Sequence, residues 1–192
     1  HIEPISITLA YIPVLLAGAL AGPQESVIVA AVFGLSSMWK AGAHYVLPLD
    51  QLFSPFMSGH PIESILLSVG SRMLFGLLIG LLYMAARQMR YTGLWICVIS
   101  FFGRFLHSVL VYSFMGLLFP ESGYHAGSAL QGFVSVDNLA ADAVTTLLVF
   151  LLWRVEKSGH WQEFLRKLEK ARSLPGAGHY HRLSLAVSIL LT

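Results

Sequence analysis

Apolar residues run through this chain in long blocks, and the polar positions between them divide it into segments. The clearest block is Pro61–Tyr83, PIESILLSVGSRMLFGLLIGLLY. At a rise of about 1.5 Å per residue, about 20 mostly apolar residues cover a hydrocarbon core of about 30 Å, so this block predicts a membrane-crossing helix. Glu63 stands near one end of it and Arg72 near its middle. A guanidinium at bilayer depth costs about 2.5–3.5 kcal/mol on insertion scales. Arg72 must therefore face protein, water or a ligand. Gly70, Gly76 and Gly80 fall on or near one helical track, which lets neighbouring helices approach closely.

The same pattern predicts four more spans. Ile5–Ala21 is the first. It contains Pro13 and ends in two overlapping small-xxx-small pairs, Ala17/Ala21 and Gly18/Gly22, a face suited to packing on another helix of this chain or of a partner. Gly22-Pro23 turns the chain into a shorter helix at Ser26–Trp39. Lys40–Gly59, with Pro48, Pro55, Gly42 and Gly59, reads as non-helical, yet Leu52, Phe53 and Phe56 make it too apolar for a solvated loop, so it is expected to fold over the bundle as a lid. The organising helix then runs His60–Ala86. A basic turn, Arg87–Gly93, leads to Leu94–Phe119, an apolar run interrupted by Arg104 and His107. A second glycine-rich loop, Pro120–Ser135, precedes Val136–Trp153, whose first two turns carry Asp137, Asn138 and Asp142.

Composition agrees with this reading. The chain is 56% hydrophobic and 11% charged, with mean hydropathy +0.70, whereas soluble domains average about 25% charged residues. The net charge of +2 says less than its placement. The Arg87–Arg90 turn and the segment Arg154–Arg172 together hold eight of the twelve Lys and Arg. The positive-inside rule puts both in the cytoplasm and places His1–Pro4, Lys40–Gly59 and Pro120–Ser135 outside. The expectation is an all-α polytopic bundle in the cell membrane with five spans present of six. It occupies residues 1–157 and is followed by a tail at 158–178 and a possible further apolar segment at 179–192. In the tail, Trp161, Phe164, Leu165, Leu168 and Ala171 recur at helical spacing opposite the basic residues. This fits either a helix lying on anionic inner-leaflet lipid or an ordinary amphipathic linker.

The polar groups at membrane depth are the candidate chemistry. Glu63, Asp137, Asn138 and His107 fall in the external half and suggest a small-molecule site beneath the two loops, which also bring Tyr124. Arg72, Arg104 and Asp142 lie deeper, where an intramembrane ion pair of Asp142 with Arg72 or Arg104 would fasten the helices. No phosphate-binding loop, nucleophile elbow or dinucleotide fingerprint is present, and no Cys/His spacing suits zinc. The lone Cys97 reads as a core residue. The expectation is a protein that is not an enzyme, with no cofactor, no metal and no nucleic-acid partner.

Three stretches resemble a known family, the membrane substrate-binding subunits (S components) of energy-coupling-factor vitamin transporters. They are Ile7–Met38, with its Ile-Pro, small-residue run and Gly-Pro turn, Ser71–Tyr83 (SRMLFGLLIGLLY), and Gly103–Gly116 (GRFLHSVLVYSFMG) followed by the polar opening of Val136–Thr146. The resemblance implies a six-helix bundle with both termini inside and a vitamin or vitamin precursor bound at the external side. It also implies coupling to a membrane scaffold subunit and two ATPases. By position it would make Glu63, His107 and Asn138 ligand contacts, and would turn Ala17, Gly18, Ala21 and Gly22 toward the scaffold. The family's first helix, with its docking motif, has no counterpart here. The chain also runs about forty residues beyond its last complete span, which fits the alternative of a multi-span sensor domain joined to a cytoplasmic output domain.

Overall fold

A computed structural model describes residues 10–43, 49–133 and 136–159, with the side chains of 131–137 excepted. Among these residues every regular element is helical. Helix α1 is Tyr11–Leu20 and α2 is Pro23–Ala41. A strap, residues 49–58, contains one 3-10 turn at Asp50–Phe53. Helix α3 is Pro61–Ala86, α4 is Thr92–Leu118, α5 is the short Ser128–Phe133 and α6 is Val136–Glu156.

Among the described residues, three helices are long and apolar enough to cross a membrane: α3, α4 and the Asn138–Glu156 part of α6. These spans mark a membrane protein whose described elements are all helical. The described part of the first expected span is a ten-residue apolar helix. Helix α2 has 19 residues, longer at both ends than the expected Ser26–Trp39, because Pro23 occupies its first turn, where a missing N–H costs nothing. The expected tail helix, the apolar segment at 179–192 and the stretch before Ala10 lie outside the described residues. The segment from Arg154 onward forms a unit separate from residues 1–153. Its described part finishes α6 and closes with Ser158 Oγ donating to Val155 O at 2.6 Å.

Small residues set the spacing of the first unit. A Cβ added to Gly76 would stand 2.6 Å from both Ala30 Cβ and Ser26 O, and one on Gly80 would stand 2.4 Å from Pro23 Cα. One on Gly34 would lie 2.7 Å from Ser68 O. Helices α2 and α3 therefore cross backbone to backbone along Gly34, Ala30, Ser26 and Pro23. Gly103 admits Leu15 of α1 against α4 in the same way, at 2.7 Å. Around this crossing one core joins Tyr11, Val14 and Leu15 of α1 with Phe33 of α2, Phe75, Ile79 and Tyr83 of α3, Ile96 of α4 and Val149 of α6. Gly18 belongs to this interior, packed on Ile79 and Tyr83, whereas Ala21 is exposed and Gly22 makes the turn at φ 130°.

A second core lies toward the strap, where Phe53 packs with Ala41, Leu67, Val111, Met115 and Phe119. The strap covers this end as expected, and two serines of α3 tie it down. Ser64 Oγ donates to Leu52 O at 2.7 Å and Ser68 Oγ to Phe53 O at 2.5 Å. At the opposite end Arg87 donates to Ala19 O at 2.7 Å, supplying a cation and a donor to the open carbonyls that end α1.

Candidate functional site: a polar cluster at mid-bundle

Helix α3 is not α-helical throughout. Between Leu66 and Gly70 it opens into a single π turn, a feature frequent at functional sites. The Ser71 N–H then reaches back to Leu66 O rather than to Leu67 O. The carbonyl of Leu67 instead accepts from Ser71 Oγ at 2.5 Å and from Arg72 NH1 at 2.8 Å. The π turn thus delivers a backbone acceptor to the arginine that the apolar block has to accommodate.

Arg72 is only 4% exposed. Its other hydrogen bonds go to Ser71 Oγ at 3.4 Å and, across to α2, Ser37 Oγ at 3.2 Å. Its guanidinium carbon lies 4.8 Å from the centre of the Phe53 ring and 5.4 Å from that of Phe33. These acceptors are neutral oxygens and aromatic faces. No carboxylate pairs directly with Arg72 among the described residues, although buried Asp50 on the strap acts on its charge from farther away. Its Nε is fully buried and has no hydrogen-bond partner.

His107 stands beside this group. Its ring stacks on Phe33, with centroids 5.4 Å apart, and meets Phe75 edge to face at 5.2 Å. The charges of both Arg72 and Arg104 act on it. Its Nε2 is also buried without a partner. Buried polar atoms are nearly always hydrogen-bonded, and each exception calls for a reason. Two exceptions sharing the Phe33 ring make this the centre of the candidate site. A third, Trp153 Nε1, stands apart near the end of α6, against Phe150.

Arg104 and Asp142 resolve the other half of the intramembrane charge. Arg104 Nε donates to Asp142 Oδ1 at 2.8 Å and its NH2 to Oδ2 at 3.3 Å, a two-pronged pair with Asp142 1% exposed. Of the two arginines open to Asp142 in the sequence, it takes Arg104. Tyr11 OH and Thr145 Oγ1 share a 3.1 Å hydrogen bond close enough for the pair's charges to act on the phenol.

Of the remaining candidate residues, Glu63 and Tyr124 stand outside this cluster. Glu63 is partly exposed on the first turn of α3, nine residues and so about 13 Å of helix from Arg72. His107 lies near the middle of α4. Tyr124 stacks flat on Tyr112, with centroids 5.5 Å apart, and its carbonyl lies over Gly116, so it holds the second loop to α4. Asn138 is buried near the start of α6, while the side chain of Asp137 lies outside the described residues. Sequence reasoning missed Phe33, Phe53 and Phe75, because an aromatic residue in an apolar run carries no mark of what it faces. It also missed Ser37, Ser68 and Ser71.

No protein-family model matches the chain, and no curated protein matches it.

Proposed function

We propose that this domain captures a small molecule from the external side of the membrane and holds it inside the helix bundle. The observation that carries the reading is the pair of buried, partnerless nitrogens on Arg72 and His107, set among aromatic rings beneath an apolar strap. Polar atoms left open in an apolar, water-poor setting are how a binding site fixes a small ligand. The glycine-built α2–α3 crossing supplies a rigid frame for it. The resemblance to vitamin-transporter S components gives this capture a purpose: uptake of a vitamin or vitamin precursor together with a scaffold subunit and two ATPases. On that reading the basic turn and the tail are cytoplasmic, with anionic inner-leaflet lipid against the tail.

The second reading is a membrane sensor domain, favoured by the chain's continuation for about forty mostly basic and apolar residues beyond Trp153. Both readings require capture, and they differ in what the bound state drives.

The test is mass spectrometry of the small molecules released by acid from protein purified in mild detergent. A stoichiometric compound establishes capture and identifies the cargo, whereas an empty protein counts against it. Co-purification of a membrane scaffold with ATPases then favours the transporter over the sensor.

A further inference from the structure

Resting on the capture reading, we infer that the molecule held at mid-bundle is an apolar monocarboxylate, its carboxylate received by Arg72 Nε–H and His107 Nε2–H. The argument begins with charge. Two guanidinium groups act on the His107 ring; among the described residues the one carboxylate in direct contact with either of them, Asp142, is committed to Arg104 through both its oxygens, and Asp50 acts on Arg72 only from farther away. Arg72 spends NH1 and NH2 on Leu67 O, Ser71 Oγ and Ser37 Oγ, none of which carries charge. The Arg72 side of the cluster is therefore the place where an added anion gains most, since charge-assisted hydrogen bonds are about twice as strong as neutral ones.

The number of open groups sets the kind of anion. Arg72 has one nitrogen, Nε, with no partner at all, and His107 with its proton on Nε2 has a second. Two donors match the two oxygens of a carboxylate. A phosphate, with three oxygens and nearly two charges, would be left undersatisfied. The ring contacts of both groups are hydrocarbon. Phe33, Phe53 and Phe75 flank the two nitrogens with ring faces and edges, which suits a flat or aliphatic body and rejects a sugar or a polyol. Glu63, about 13 Å of helix away, takes no part in holding the carboxylate.

The experiment compares benzoate with benzamide, its neutral isostere, as additives to the full-length chain in mild detergent, reading the thermal unfolding midpoint. Benzoate at millimolar concentration is expected to raise the midpoint and benzamide to leave it unchanged. Arg72→Gln and His107→Phe should each weaken the benzoate response about tenfold, the loss of one hydrogen bond to a charged group, while Glu63→Gln keeps it. His107→Phe keeps an aromatic ring against Phe33 and Phe75 and removes only the donor, so the test stands even if Arg72→Gln fails to fold. Equal stabilisation by benzamide, no response to benzoate, or a benzoate response undiminished in His107→Phe overturns the inference. The co-purified compound separates the two levels. A bound molecule without an acidic group overturns the monocarboxylate and leaves capture standing. An empty protein that also gives no His107-dependent benzoate response overturns capture and the anion site together.

Discussion

Arg72 and Arg104 look alike in the sequence, each a lone cation in an apolar run, and the bundle treats them differently. Arg104 meets a carboxylate with two hydrogen bonds; Arg72 meets a carbonyl freed by a π turn, two hydroxyls and two rings. Removing one member of a buried ion pair leaves the other charged and unpaired, which costs about 3–5 kcal/mol. Asp142→Asn is therefore expected to lower the thermal midpoint in detergent sharply. The double variant Arg104→Met/Asp142→Leu, which removes both charges, should recover much of the loss. A midpoint unchanged in Asp142→Asn would show that the pair does not fasten α4 to α6. The two arginines were legible as buried from their place in apolar blocks. Which of them Asp142 takes depends on the rotation of three helices about their axes, and a one-dimensional pattern does not carry that.

Two devices hold the helices in place. The first is the glycine crossing of α2 and α3. Gly76→Ala drives a methyl into the Ser26 carbonyl at 2.6 Å, and overpacking of this kind costs about 1–3 kcal/mol. Gly70→Ala, with its nearest neighbours at 3.7 Å, should be close to neutral in the same melting assay. Equal effects at the two positions would remove the crossing as the cause. The second device is the serine fastening of the strap. Ser68→Ala loses the hydrogen bond to Phe53 O, worth about 1 kcal/mol. Amide exchange in residues 50–54 should quicken while the middle of α3 is unaffected. The sequence showed that small residues line α3 and that residues 40–59 are too apolar to float free. It did not show that α2 is the helix those glycines meet, nor that the serines face the strap, because Ser64, Ser68 and Ser71 read as ordinary polar interruptions of a span.

For the whole molecule, three apolar helices of membrane-crossing length and a lopsided distribution of cations are enough to define the class of protein and to predict its orientation. That orientation is testable in a Cys97→Ser background. Met57→Cys on the strap should react with a membrane-impermeant maleimide added outside intact cells, and Met89→Cys in the basic turn should react only after permeabilisation. The reverse pattern would invert the bundle and put the candidate site under the wrong face.

The π turn has a consequence for how the polar site relates to its frame. A π turn closes its hydrogen bond over one residue more than an α turn, so the helix on either side keeps its faces although the count between them is one too high. Deleting a single residue from the turn would let α3 wind as a plain α-helix, with Ser64 still toward the strap and Gly76 still on α2. The carbonyl now offered to Arg72 would be claimed by the helix's own N–H ladder. The arginine's seat is thus a one-residue insert in an otherwise continuous scaffold. It can be withdrawn by shortening the chain at that point, without touching the arginine or any residue of the crossing.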